Sequence, residues 1–218
     1  MAPRLVRFSV LASFLLLSCG GPPSLRQADF PVNCGKGQPV EELLKRGNAH
    51  RDLMLRETPP PHFDSEQWTE SRKIYGTRAR ACYRLVLDTQ RDNGYALLNT
   101  GFTYMVESTF PDLTPELRDH ALVTATNYVQ QALAAQQSDA QHYYYLGEIA
   151  ARRGQCDKAL RIFNALVTGH WSYSHLYAWM GYCLELRGNS KEAKGYYQKA
   201  VDLSNPVGIA EWARSRVE

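Results

Sequence analysis

The sequence has few of the motifs that chemistry on a substrate requires. Its 218 residues contain no Cys-x-x-Cys pair and no cysteine–histidine spacing of the kind that holds zinc, which argues against a zinc site and against redox catalysis. No glycine-rich phosphate loop follows a strand signal, and no Gly-x-Ser-x-Gly turn is present. The six histidines are scattered. The sequence therefore predicts a protein that is not an enzyme and that uses no metal or small-molecule cofactor.

Long apolar runs, strand signals and an excess of one charge are also missing. The apolar stretch at 10–17 is far shorter than the ~20 residues that a membrane-spanning helix needs. Without Arg4 and Arg7, 23 basic residues remain against 22 acidic ones, a net charge of +1. This balance argues against nucleic acid as a partner, because a basic stripe would be expected. The scarcity of strand signals favours a helical domain.

What the chain does have is a repeat with a period of 34 residues. Apolar residues at helical spacing predict two amphipathic helices in each period, and small residues stand where these helices approach each other. The pattern resembles the tetratricopeptide repeat, a helix–turn–helix unit of this length. The resemblance implies an all-α fold, an α-solenoid of tetratricopeptide repeats, and a function in binding. Six pairs of residues carry it: Tyr143/Tyr177, Gly147/Gly181, Arg153/Arg187, Gly154/Gly188, Ala159/Ala193 and Phe163/Tyr197.

Two weaker copies precede the clean repeats. Gly101 and Ala125 occupy small positions of one copy, but a dozen residues at 108–119 are inserted between its helices, with a new helix start at Thr114-Pro115. An earlier degenerate copy contains Gly47 and Tyr83. The predicted organisation is a signal peptide at 1–18, a lipidated N-terminus and tether at 19–38, a degenerate repeat at 39–93, an interrupted repeat at 94–139, repeats at 140–173 and 174–206, and a capping helix at 207–218.

The N-terminus has the form of an export signal. Two arginines precede the apolar stretch, which ends in Leu16-Leu17-Ser18-Cys19-Gly20. This ending resembles a bacterial lipobox, which implies that Cys19 is acylated and becomes the mature N-terminus. The acyl chains would be the only attached group that is not protein. Because Gly20 is not the Asp that retains some lipoproteins at the inner membrane, the resemblance implies the periplasmic face of the outer membrane. An ordinary signal peptide, cut at another small residue, is the alternative.

Four cysteines follow Cys19, and an even number in an exported protein favours disulfides. Cys156 opens the second helix of one repeat, and Cys183 lies late in the first helix of the next. These segments are antiparallel neighbours in a tetratricopeptide stack, so the resemblance supports a Cys156–Cys183 bridge. Cys34 would then pair with Cys82. Buried free thiols are the alternative.

The resemblance also implies a binding surface, because the first helix of each tetratricopeptide repeat lines a concave groove. Aromatic and Met side chains on such a face suit a peptide or helix with apolar anchors. For Leu98, Phe102 and Met105 a place in the core is the alternative. The inward positions are Tyr95, Leu98, Phe102, Met105, Gln141, Tyr144, Glu148, Arg152, His175, Ala178, Tyr182 and Glu185.

Lipoproteins of this size with tetratricopeptide repeats resemble two groups, the pilotins of type IV pilus secretins and the lipoprotein of the myxobacterial gliding-motility complex. The insertion, the proline-rich break at 58–61 and the extra cysteines differ from the regular pilotin array and favour the motility type. The expected function is that of a non-enzymatic scaffold, anchored by lipid, that binds other envelope proteins within a multiprotein machine. A pilotin-like assembly factor and an accessory to cell-wall enzymes or transport are the alternatives.

Overall fold

The computed structural model describes residues 33–55, 65–135, 139–171, 173–203 and 213–217. The predicted signal peptide, the lipobox, the proline-rich break and most of the predicted capping helix lie outside these residues. None of the described helices is both long enough and apolar enough to cross a membrane. The described residues contain the helices α1 (Val40–Leu55), α2 (Ser65–Thr89), α3 (Gly94–Glu107), α4 (Pro115–Ala135), α5 (Ala140–Arg152), α6 (Cys156–Thr168), α7 (Ser174–Leu186) and α8 (Ser190–Asp202), and no strand.

The helices pack in pairs, α1 with α2, α3 with α4 and α7 with α8. The predicted all-α class, with tetratricopeptide-type helix pairs, is confirmed. The described residues form two compact units, which divide within α5. We call residues 33–149 the N-terminal unit and residues from 150 onwards the C-terminal unit.

In three helix pairs a glycine of the first helix lies directly beneath a large side chain of the second. A methyl group added to any of these glycines would overlap that side chain, so only glycine permits the observed approach of the two helices. The degenerate repeats follow this rule as closely as the clean one does. The pairs, with the distance from the added carbon, are Gly47 and Tyr83 at 2.7 Å, Gly101 and Val129 at 2.9 Å, and Gly181 and Tyr197 at 2.6 Å.

Glycine also makes the short turns after α5 and α7. Gly154 and Gly188 have φ angles of 72° and 79°, a left-handed conformation that other residues adopt at a cost. After Gly188, the Asn189 side chain accepts a hydrogen bond from the Glu192 N–H and so caps the start of α8. The turn and the cap together allow α8 to fold back along α7.

A disulfide joins the segment before α1 to the middle of α2. The Cys34–Cys82 bridge has an S–S distance of 2.02 Å and a Cα–Cα distance of 5.2 Å. Cys82 is completely buried, beside the core cluster that contains Tyr83 and Val86. The bridge therefore attaches the segment before α1 to the core of the first helix pair.

The first part of the predicted insertion is a loop that packs against the fold, and the new helix begins where Thr114-Pro115 predicted it. Residues 108–114 form the loop, and α4 begins at Pro115, because proline is well suited to the first position of a helix. Phe110 is 1% exposed and belongs to a cluster with Leu53, Met54 and Tyr75. Lys73 of α2 donates a hydrogen bond to Asp112 and holds the pKa of that carboxyl below its usual range. The loop is thus a structural element of the N-terminal unit.

Two residues predicted for the groove belong to the core instead. Leu98 and Met105 are 8% and 2% exposed. Both lie in one apolar cluster with Leu122 and Val129 of α4. Because α4 covers this side of α3, these side chains face the partner helix within the unit rather than an external ligand.

Cys156 and Cys183 are free thiols in the structure, and both are buried. Burial, followed by a hydrogen bond with Cys156, raises the pKa of the Cys183 thiol. The Cys156–Cys183 bridge stays a prediction.

Candidate functional site

The N-terminal unit presents aromatic side chains on one side of α3. Tyr95 is 41% exposed, and Phe102, seven residues later on the same helical face, is half-buried. The Phe102 ring lies 5.3 Å from that of Tyr145 at the start of α5. Gln141 donates a hydrogen bond to the Tyr145 hydroxyl at 3.1 Å. We call Tyr95, Phe102, Gln141 and Tyr145 the N-terminal face.

A polar cluster that the sequence did not predict supports this face. Arg51 of α1 donates a hydrogen bond to the side-chain oxygen of Asn99. Asn99 is 7% exposed, and its amide donates to the Tyr95 carbonyl at 2.9 Å. Asn99 stands one helical turn after Tyr95, so helical spacing could have identified it. Arg51 could not be identified this way, because it comes from a different helix.

Three further predicted groove residues are buried, and one of them, Ala178, is 0% exposed. Tyr144 and Glu148 are each 6% exposed, and the Tyr144 ring lies 5.7 Å from that of Tyr145. Neither side chain is accessible enough to serve as an anchor for a partner. The register identified the correct helix, but the neighbouring Tyr145 is the more exposed ring.

The C-terminal unit has its own aromatic cluster, built around the Trp179 ring, which is itself buried at 7% exposure. The Arg152 guanidinium lies 4.8 Å from the centre of the Trp179 ring and makes a cation–π interaction with it. Tyr182 meets the same ring edge-on at 5.6 Å. Burial raises the pKa of Tyr182, and its phenol can donate a hydrogen bond.

Helical spacing extends this surface along α7. His175, Trp179, Tyr182 and Leu186 follow one another at intervals of four, three and four residues and so lie on one side of the helix. Leu186 is 57% exposed and stands in line with the aromatic cluster. We call these four residues and Arg152 the C-terminal face. The sequence prediction missed Trp179 and Leu186, although the same spacing contains them.

The loop before α7 adds aromatic rings next to His175. The His175 ring stacks on Tyr173 at 5.0 Å, and Tyr173 is 5.9 Å from Trp171. Tyr173 is 49% exposed. The aromatic surface thus continues past the start of the helix.

Glu185, also predicted for the groove, has an internal role. It accepts hydrogen bonds from the Tyr197 hydroxyl and from Arg216, each at 2.7 Å. Burial and then this bond to Glu185 raise the pKa of Tyr197. Glu185 therefore ties α7 to α8 and to the end of the chain.

The chemistry available on both faces is that of recognition. Rigid aromatic rings, one exposed leucine and a guanidinium provide apolar contact area with few side-chain torsions to immobilise. Within the described ranges, no group of three His, Cys, Asp or Glu side chains is placed to hold a metal ion. The faces can take aromatic or aliphatic side chains of a polypeptide.

The fold and these faces define an all-α protein with tetratricopeptide-type helix pairs. No protein-family model and no curated protein matches the chain. The crystal structure of the MamA protein is similar with 21% identity over 72% of this chain and 90% of that chain, at a TM-score of 0.35. YrrB, a TPR protein with an unusual peptide-binding site, is similar with 18% identity over 81% and 92%, at a TM-score of 0.38. At such values the likeness concerns the fold alone.

Proposed function

We propose that this chain is a non-enzymatic scaffold that binds other envelope proteins through the aromatic faces of its helical repeats. It is anchored by acyl chains on Cys19 to the periplasmic face of the outer membrane. It serves within a multiprotein envelope machine of the gliding-motility type. The lipobox at 16–20 supports the anchor. The Cys34–Cys82 disulfide supports an oxidising compartment such as the periplasm.

The observation that carries the binding function is the C-terminal face. Surface leucines are common singly, but Leu186 continues a stripe of His175, Trp179 and Tyr182 along one helix. Binding hot spots are enriched in Tyr and Arg, and the C-terminal face presents the half-buried Tyr182 and Arg152, which pack on the buried Trp179 ring, together with the exposed Leu186. A partner segment with apolar side chains would bury the Leu186 side chain and the exposed edges of the rings.

The test is affinity purification of the full-length chain from solubilised envelopes. We expect Leu186→Glu to remove the co-purifying envelope proteins, because a carboxylate would be desolvated in the apolar contact. Leu203→Glu is the matched control, since Leu203 is 52% exposed and lies at the end of α8, off the face. This control should retain the partners. Equal recovery of partners with both variants would contradict the assignment of the face.

The anchor is tested separately with Cys19→Ser. We expect this variant to leave the outer-membrane fraction and to carry its partners away from it, because stable attachment requires the acyl chains. Retention in the outer membrane would refute the lipid anchor without touching the binding face. Deletion of the gene should disturb the motility machine. Loss of secretin multimers instead would identify a pilotin-like factor.

A further inference from the structure

The C-terminal unit contains a second concave surface, formed between α6, α7 and α8. It has a volume of about 520 Å³, within the range of ligand-binding clefts. Its floor consists of Leu160, Met180 and Leu184, which are 8%, 1% and 6% exposed. We call this surface the α6–α8 groove. These three side chains make the floor of the groove apolar.

The charged side chains at the rim of the groove differ in whether they already have a partner within the unit. Asp157 pairs with Arg187 at 3.2 Å, and Glu192 accepts a hydrogen bond from the Asn189 amide at 2.6 Å. Arg161 also lines the groove, is exposed, and has no ion-pair partner among the residues that the structure describes. Both carboxylates are thus satisfied internally, whereas one guanidinium remains available. Arginine suits this role because its planar group binds a carboxylate through two parallel hydrogen bonds.

The balance of charge in the whole chain reinforces this local asymmetry. Residues 150–218 contain ten Lys and Arg against six Asp and Glu, a net charge of +4. Residues 20–149 contain 13 basic and 16 acidic residues, a net charge of −3. The near-neutral total therefore conceals a basic C-terminal unit. Such a field attracts acidic partners and raises their rate of association.

We infer that the α6–α8 groove is a second docking site, which takes an acidic peptide segment of a partner protein with aliphatic side chains interspersed. The aliphatic side chains pack on the floor at Leu160, Met180 and Leu184. A carboxylate of the segment pairs with Arg161 at the rim. Nucleic acid and anionic lipid share the negative charge, and the experiment below distinguishes both from the peptide.

This site is distinct from the C-terminal face. Met180, Leu184 and Arg187 follow each other at intervals of four and three residues along α7. At 100° per residue they lie on the side of the helix opposite His175, Trp179 and Tyr182. One unit can therefore bind two segments at once. The inference does not depend on the identity of the partner that the C-terminal face binds.

The experiment uses the full-length protein and the peptide Glu-Leu-Glu-Glu-Leu-Glu-amide with fluorescein on its N-terminus, and binding is followed by fluorescence anisotropy. We expect saturable binding that weakens as salt is added. Arg161→Glu should weaken it about tenfold, because the charge pair becomes a repulsion. Lys158→Glu is the matched control, since Lys158 is exposed on the same helix and does not line the groove. It should change the affinity by less than about twofold.

Three results would overturn the inference. One is equal weakening by Arg161→Glu and Lys158→Glu, which would mean a diffuse charge effect. Another is equal affinity for a peptide with Ala in place of Leu, which would mean that the apolar floor is not used. The last is tighter binding of duplex DNA or of phosphatidylglycerol vesicles than of the peptide, at equal salt. This test measures the peptide and Arg161, whereas the test of the C-terminal face measures envelope proteins and Leu186, so failure of one proposal can be distinguished from failure of the other.

Discussion

Removal of the Cys34–Cys82 bridge should cost the N-terminal unit about 4 kcal/mol of unfolding free energy. The two cysteines are 48 residues apart, and opening a loop of this length returns entropy of that order to the unfolded chain. Cys82 is completely buried, so Cys82→Ala also loses some packing. We expect Cys34→Ala/Cys82→Ala to show the loss in urea unfolding. Hydrogen exchange should show that the loss of protection falls on the amides of α1 and α2.

The wild-type chain in reducing buffer is the control, because it lacks the bridge but keeps every other contact. A double variant within about 1 kcal/mol of the oxidised protein would contradict the structural role of the bridge. Thiol titration of the denatured Cys19→Ser protein also shows whether Cys156 and Cys183 form a disulfide. Two reactive thiols mean that Cys156 and Cys183 are free, and none means that they are bridged.

Gly181→Ala should destabilise the C-terminal unit by about 2 kcal/mol. The added carbon would lie 2.6 Å from the Tyr197 ring. Tyr197 cannot turn aside easily, because the ring is 1% exposed and its hydroxyl donates to Glu185 at 2.7 Å. Alanine is the better helix former, so this result would reverse the intrinsic preference of the helix. Thermal or urea unfolding followed by circular dichroism measures it.

The matched control is the same substitution at Gly195. This glycine lies inside α8, is exposed, and has no neighbour within 4 Å of an added carbon. Gly195→Ala should therefore stabilise the protein by about 0.5–1 kcal/mol. Opposite signs at the two positions are the expected result. Stabilisation by both substitutions would refute the close approach of α7 and α8.

The spacing of residues along one helix predicts where the helix lies in the chain and which of its residues share a side. It does not predict which neighbouring helix covers that side. The 34-residue interval identified α5 to α8, and the weaker copies identified the glycines at 47 and 101, because close helix contact leaves a small residue at a fixed place. Register alone could not separate groove from core at Leu98 and Met105. Their burial depends on where α4 packs, which the spacing within α3 does not contain.

The binding surfaces show the same limit. Trp179 and Leu186 could have been predicted from the sequence, since they share one side of α7 with His175 and Tyr182. The α6–α8 groove was not, because its floor combines side chains of two helices and its rim adds a third. The basic character of the C-terminal unit can be counted only once the boundary between residues 149 and 150 is known.

The most direct test of the account is photo-crosslinking in the native envelope from a reactive amino acid placed at position 186. Position 203 is the reference, because Leu203 at the end of α8 is exposed to a similar extent. We predict one discrete cross-linked envelope protein from position 186 and none from position 203. No product from position 186, or the same products from both positions, would contradict the claim that the C-terminal face binds a partner.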